Sequence, residues 1–257
     1  MQRSPLAWLG LILALAALAG CTAKGDPSQP IPTTLIPAAA TQAADTRPKT
    51  LVVVLPGRAD SLGGLRGSGI VQAVQSAWPY ADVQLTGLAM DYYMAGRAID
   101  RLHDEIIAPA RARYGEIWLV GASLGGMGAL MYDREHPDVA AGIVLLAPYL
   151  GEQPLLDEIV VAGGLRAWPA GPRPAVIDND NVQRELWRHL QSLGRDPKRA
   201  SRLWLAYGEG DKLRNAQPLI APVVPASHVF MRPGGHSWSV WSPVTREILL
   251  AAGTARR

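Results

Sequence analysis

The sequence predicts an α/β domain, with a mainly parallel sheet covered by helices on both faces. Three observations carry that prediction. Short β-branched apolar runs recur along the chain, segments of helical period alternate with them, and the first run, Leu51-Val52-Val53-Val54-Leu55, has no polar face. A strand that is apolar on both sides must be covered on both sides, as strands of a parallel sheet are. At 257 residues with 48% apolar composition, the chain is long enough to bury one sizeable core.

The elements follow in order from Thr50. The run Leu51–Leu55 ends at Pro56-Gly57 and reads as a buried strand. Ile70, Val71, Val74 and Ala77 have helical spacing, and that helix stops before Trp78-Pro79. Asp82–Thr86 is a second strand, and Ile99, Leu102, Ile106 and Ala110 mark one face of a longer helix. Next come the strand Ile117–Val120, a helix after Ser123, and the strand Gly142–Ala147. Leu203–Tyr207 and Val223–Met231 are the later strands, with a short helix near Asn215–Ile220 and a final helix from about Val240. The expectation is therefore about six strands joined by right-handed crossovers. Residues 148–202 interrupt the alternation with two helices, Pro154–Val161 and Val182–Leu193, around the Pro-rich stretch Trp168–Pro174. An excursion of that size predicts a small helical cap inserted in the sheet.

The N-terminus has a different character. Met1-Gln2-Arg3 is a short positive region, followed by the apolar stretch Leu6–Ala19 and by Leu18-Ala19-Gly20-Cys21. The stretch is shorter than the roughly 18–20 residues a membrane-spanning helix needs, and its layout is that of a secretion signal. Its ending resembles the lipobox of bacterial lipoproteins. That resemblance implies cleavage after residue 20, lipidation of Cys21 on sulfur, acylation of the new amino terminus, and anchoring of the chain in the bacterial envelope. Several acyl chains hold a protein at a bilayer where one would not. Thr22 in place of Asp implies, by the enterobacterial sorting rule, the outer membrane with the domain facing the periplasm. Residues 21–49 carry Pro27, Pro30, Pro32, Pro37 and Pro48 without any apolar period, which predicts a disordered tether before a domain at 50–257. Cys21 is the sole cysteine, so no disulfide can form within the chain. The net charge of +3 comes from scattered Lys and Arg, with neither a nucleic-acid footprint nor zinc-ligand spacing.

Chemistry concentrates at three places. Gly121-Ala122-Ser123-Leu124-Gly125 follows one strand directly and leads into a helix, the setting of a nucleophile elbow. A serine hydroxyl is a poor nucleophile at neutral pH and needs a base, which in turn needs an orienting carboxylate. Of the five histidines, His103 and His189 fall in predicted helices, His136 at a helix end and His228 in the last strand; each reads as structural. His236 lies in the loop Pro233-Gly234-Gly235-His236 after the last strand, where its side chain can reach the carboxyl edge of the sheet. The loop Gly208-Glu209-Gly210-Asp211 after the preceding strand supplies Asp211, with Glu209 as its competitor.

The order Ser, Asp, His on loops after successive strands resembles the α/β-hydrolase family over residues 50–253. The resemblance implies Ser123 as nucleophile, His236 as general base and later acid, and Asp211 as its orienter. It implies an oxyanion hole made by the backbone amides of Leu124 and Arg58, and no cofactor or metal. A Ser at the elbow implies carboxylic-ester cleavage of a small-molecule substrate through an acyl-enzyme. An acyltransferase or peptidase on the same triad, and an envelope lipoprotein that keeps the fold without catalysis, are the alternatives. Two features depart from the family: Pro56-Gly57 replaces the usual His-Gly, and the usual two N-terminal antiparallel strands are not evident. Trp168, Trp187, Trp238 and Trp241 read either as pocket walls or as ordinary packing, and Asp60 as a surface residue.

Overall fold

The computed structural model describes residues 24–40 and 49–255. One sheet contains seven strands: β1 (Thr33–Ile36), β2 (Thr50–Leu55), β3 (Asp82–Thr86), β4 (Glu116–Ala122), β5 (Gly142–Leu146), β6 (Leu203–Gly208) and β7 (Val229–Arg232). Their order across the sheet is β1-β3-β2-β4-β5-β6-β7. Neighbours from β3 to β7 pair in parallel, and β1 alone runs antiparallel, with Thr34 opposite Leu85. Successive side chains point to opposite faces of a strand, so each apolar run feeds two cores at once. Leu51, Val53 and Leu55 of β2 join one core, while Val52 and Val54 join the other. Strand β4 divides likewise, Ile117 and Leu119 against Trp118 and Val120. This is why no polar face is visible in these strands.

Helices α1 (Leu62–Gly67), α2 (Ile70–Ala77) and the last helix cover the Val52 face. The opposite face carries α3 (Met90–Met94), α4 (Ala98–Arg101), a π-helical turn at Leu102–Ile107, α5 (Ala108–Arg111) and α6 (Leu124–Glu135). It also receives α7 (Gln153–Val161), α8 (Val182–Leu193) and, beyond the short α9 (Pro197–Ala200), α10 (Gln217–Ile220). The last helix, α11, is Trp238–Ala255.

Two expectations change at the ends of the sheet. An unfolded tether over 21–49 does not hold for Thr33–Ile36, which is the edge strand β1, and the sheet has seven strands rather than six. The prolines that argue against folding bracket this strand at Pro32 and Pro37, positions that an edge strand tolerates. The segment also borrows the domain's groups. Backbone N–H groups of Gly25, Ile31 and Ala38 donate to the carboxylates of Asp91 (2.7 Å), Glu105 (2.7 Å) and Asp82 (2.8 Å), and Ile31 is only 5% exposed. The signal stretch and Cys21 lie outside the described residues, as do residues 41–48. At the other edge, β7 starts at Val229 rather than Val223, because Pro222 and Pro225 cannot donate to a ladder and the chain makes 3₁₀ turns there. His228 consequently sits in a turn, stacked on Trp204 with ring centroids 3.5 Å apart.

The insertion at 148–202 is bonded into the body. Leu156, Ile159, Trp168, Leu186, Trp187 and Leu190 belong to the same core as β2 and β4. A buried charge cluster pins α8 to α6. The Asp133 side chain, fully buried, accepts from His189 Nε2 (3.0 Å), Arg199 Nη2 (3.2 Å) and Arg202 Nη2 (3.1 Å). Burial would raise the Asp133 pKa, but the His189 hydrogen bond and the two guanidinium groups outweigh it and hold the carboxyl below its ordinary value. A depressed carboxyl pKa stabilises the fold at neutral pH, and that contribution fades on acidification. Asp133→Asn should therefore cost about 3 kcal/mol in urea unfolding at pH 7. The deficit should shrink as the pH falls below the ordinary carboxyl value of 3.8.

Candidate active site

The turn from β4 into α6 is dictated by two glycines. A Cβ on Gly121 would stand 2.2 Å from the Gly125 carbonyl oxygen, and one on Gly125 would stand 2.3 Å from the Leu55 carbonyl oxygen. With neither present, the helix starts directly at the strand end and crosses close over β2. Ser123 between them is forced to φ 53°, ψ −112°, a conformation a side-chain-bearing residue adopts only under constraint. The constraint comes from both sides, since Ser123 N–H donates to Leu146 O (2.9 Å) and Ser123 O accepts from Gly126 (3.0 Å) and Tyr149 (2.9 Å). Leu124 is the first residue of α6, where backbone N–H groups have no carbonyl one turn back. Leu55 pairs with Gly121, so the loop after β2 lies beside the elbow. A Cβ on Gly57 would stand 3.6 Å from Ser123 Cβ, which puts Arg58 in the next position along that loop.

Two further loops meet at the same sheet edge. The loop after β6 and the loop after β7 are tied by Gly210 N–H donating to Gly234 O (2.8 Å). They approach so closely that a Cβ on Gly208 would stand 2.4 Å from Gly234 O, and Gly234 itself has φ 120°. From these loops Asp211 and His236 face each other. Both carboxylate oxygens of Asp211 lie 2.9 Å from His236 Nδ1, and Oδ1 also accepts the Leu213 N–H (2.7 Å). A carboxylate only accepts, so Nδ1 carries a proton, and in the neutral ring the lone pair is then on Nε2. Asp211 is buried, whereas Glu209 is exposed. Among the described residues no hydrogen bond joins Ser123 Oγ to His236.

Asp60, which reads as a surface residue in the sequence, is a hub of this edge. Its Oδ2 accepts the Gly57 N–H (2.8 Å) and the Trp238 Nε1–H (2.9 Å), joining the loop after β2 to the start of α11. Trp238 meets Trp241 edge-on at 5.3 Å, and Trp241 meets the His236 ring edge-on at 4.7 Å. No local pattern marks Asp60, because its partner lies 178 residues away. Trp168 and Trp187 are core residues, bonded through Nε1 to Glu158 (2.8 Å) and to the Leu150 carbonyl (2.6 Å). Tyr149 sits against the elbow through its backbone and donates its phenol to Glu152. Burial, and then that hydrogen bond, push the phenol pKa up, so Tyr149 stays protonated. No group of three or more His, Cys, Asp and Glu side chains placed to hold a metal occurs among the described residues.

A family model described as "Putative esterase" matches residues 99–251, more than half of the chain. No curated protein sequence matches. Solved structures match along most of their length. Est1E from Butyrivibrio proteoclasticus aligns with a TM-score of 0.56 at 10% identity, covering 88% of this chain and 94% of that one. S-formylglutathione hydrolase from Staphylococcus aureus aligns with a TM-score of 0.52 at 15% identity, covering 86% and 96%. The α/β-hydrolase enzyme MGS-MChE2, from a sediment metagenome of the Mar Chica lagoon in Morocco, gives 0.53 at 19%, covering 89% and 97%. At such identities the likeness is one of fold, and the fold is that of the α/β-hydrolases.

The elbow contacts set a strict test. Gly125→Ala should destabilise the domain by about 3 kcal/mol, since its Cβ meets backbone rather than a movable side chain. Gly63→Ala, whose Cβ would come no closer than 3.8 Å to Ser61 Oγ, should melt within a degree or two of the wild type in a thermal scan.

Proposed function

The chain belongs to the Esterase family, and we propose that it hydrolyses carboxylic esters through an acyl-enzyme on Ser123. The paired contact between Asp211 and His236 Nδ1, at the sheet edge where Ser123 is held in a strained turn, supports this reading most directly. In the proposed mechanism Ser123 Oγ attacks the ester carbonyl carbon as His236 Nε2 takes its proton. The electron pair of the carbonyl moves to oxygen, and the backbone amides of Leu124 and Arg58 stabilise the oxyanion. Collapse expels the alcohol, which leaves with the proton from Nε2. Water then attacks the acyl-enzyme carbonyl as His236 Nε2 takes its proton, and collapse breaks the bond to Ser123 Oγ, which recovers that proton from Nε2 as the acid departs. Asp211 holds the imidazole in the tautomer that leaves Nε2 unprotonated, and its charge favours the imidazolium formed at each step.

Two readings from the sequence stand with this proposal. The Leu18-Ala19-Gly20-Cys21 segment supports an envelope protein lipidated at Cys21 and held at the outer membrane, facing the periplasm. Radiolabelled palmitate should enter the wild type and not Cys21→Ser. The acid of the proposed triad is Asp211 rather than Glu209, on the strength of burial and the His236 contact.

A fluorophosphonate probe should label the wild type and leave Ser123→Ala unlabelled. A folded wild-type protein that takes up no probe and cleaves no p-nitrophenyl ester overturns the hydrolase reading. Asp211→Asn should lower kcat by about 10⁴, and Glu209→Gln should leave it near the wild-type value. Asp60→Ala releases the Gly57 loop from Trp238 and should lower kcat by roughly tenfold to a hundredfold at nearly unchanged KM. An equal loss through KM would assign Asp60 to substrate binding instead.

A further inference from the structure

The molecule has a cavity of about 500 Å³ on the α3–α6 side of the sheet, beside the elbow. Its apolar wall combines Met90, Met94, Met127 and Met131 with aliphatic residues from α4 and the start of α8 and the rings of Tyr93 and Tyr149. Met127 and Tyr149 connect it to the proposed nucleophile, since both donate their backbone N–H to Ser123 O, at 3.2 and 2.9 Å. Met131 lies one turn further along α6, so the cavity runs away from Ser123 along that helix.

Four carboxylates line the same cavity: Asp100, Glu135, Glu152 and Asp178, all exposed. None of the described residues lining it is Lys, Arg or His. Arg134 neutralises Glu135, but Asp100, Glu152 and Asp178 form no ion pair among the described residues. The rim is thus negative on a chain whose net charge is +3. Tyr93 is 8% exposed, and its phenolic oxygen, lodged over Gly128 where a Cβ would come within 2.1 Å, has no hydrogen-bond partner.

Methionine side chains are unbranched and polarisable and adapt to chains of varied shape. Carboxylates at the far end attract a positive charge and repel a negative one. We propose that this cavity is the acyl subsite of the Ser123 hydrolase and selects esters whose apolar acyl chain ends in a cationic group. The inference rests on the Ser123 chemistry proposed above and adds the substrate class to it. The acyl chain lies along the methionines, and its cation sits among Asp100, Glu152 and Asp178.

Matched p-nitrophenyl esters test it: hexanoate, 6-(trimethylammonio)hexanoate and the monoester of adipate, each rate divided by the same protein's rate on p-nitrophenyl acetate. The cationic ester should exceed the anionic one in kcat/KM by about tenfold at low salt, with the neutral ester between them. The gap should narrow at 1 M salt and in the double variant Asp100→Asn, Glu152→Gln. Met131→Trp fills the cavity and should slow all three long esters relative to acetate. A cation-to-anion ratio near one, or long-chain rates indifferent to Met131→Trp, overturns the proposal while Ser123-dependent acetate hydrolysis leaves the hydrolase reading intact. Calorimetry separates the two readings further. Ser123→Ala should bind hexyltrimethylammonium about tenfold more tightly than hexanoate, and equal affinities overturn the subsite whatever the catalytic result.

Discussion

The close crossing of α6 over β2 is the contact on which the rest of this structure depends. It exists because Gly121 and Gly125 bring backbone against backbone, leaving no room for a single methyl group at either position. That approach strains Ser123, starts α6 at Leu124, and sets the Gly57 loop beside the serine. Strain of this kind survives only where the surroundings over-determine the backbone. Here they do: β5 holds the Ser123 amide, and Tyr149 and α6 hold its carbonyl. The same hydrogen bonds that fix the elbow also align the wall of the methionine cavity.

A second close approach, between the loops after β6 and β7, plays the same part for Asp211 and His236. Gly208, Gly210 and Gly234 let two loops on neighbouring parallel strands share backbone hydrogen bonds. Asp211 and His236 therefore sit on loops cross-linked just beyond the strand ends, which limits how far either can shift. Asp60 joins the two halves of the edge through Gly57 and Trp238, and the Trp238–Trp241–His236 ring contacts continue that link to His236. The cap helices add no separate lid. Their apolar faces complete the main core, and Asp133 couples α8 to α6 through His189 and two arginines.

Local signals in the chain account for much of this. Apolar runs located strands β2 to β6 to within a residue or two, since a strand buried on both faces has no polar alternation to blur its ends. The span Val182–Leu193 read as a helix because its apolar residues recur on one face, and the structure has that helix with those ends. Expectations that relied on composition alone fared worse. Pro-rich sequence between 24 and 40 suggested a tether, yet β1 forms there by pairing with β3 and placing its amides on Asp91, Glu105 and Asp82. Proline density reports how a segment behaves by itself, and an edge strand is not by itself.

By itself, then, the sequence determined the alternating α/β architecture, the strand-turn-helix setting of Ser123, and the two glycine-rich loops that bear Asp211 and His236. Each of these is written in residues a few positions apart. Tertiary structure alone decided what depends on distant partners. It set Asp211 against His236 while leaving Glu209 in solvent, made Asp60 a hub through a residue 178 positions away, and gathered four methionines and four carboxylates from separate segments around one cavity. Side-chain period and turn chemistry are local properties, whereas which side chains share a space is settled only when the sheet brings its strand ends to one edge.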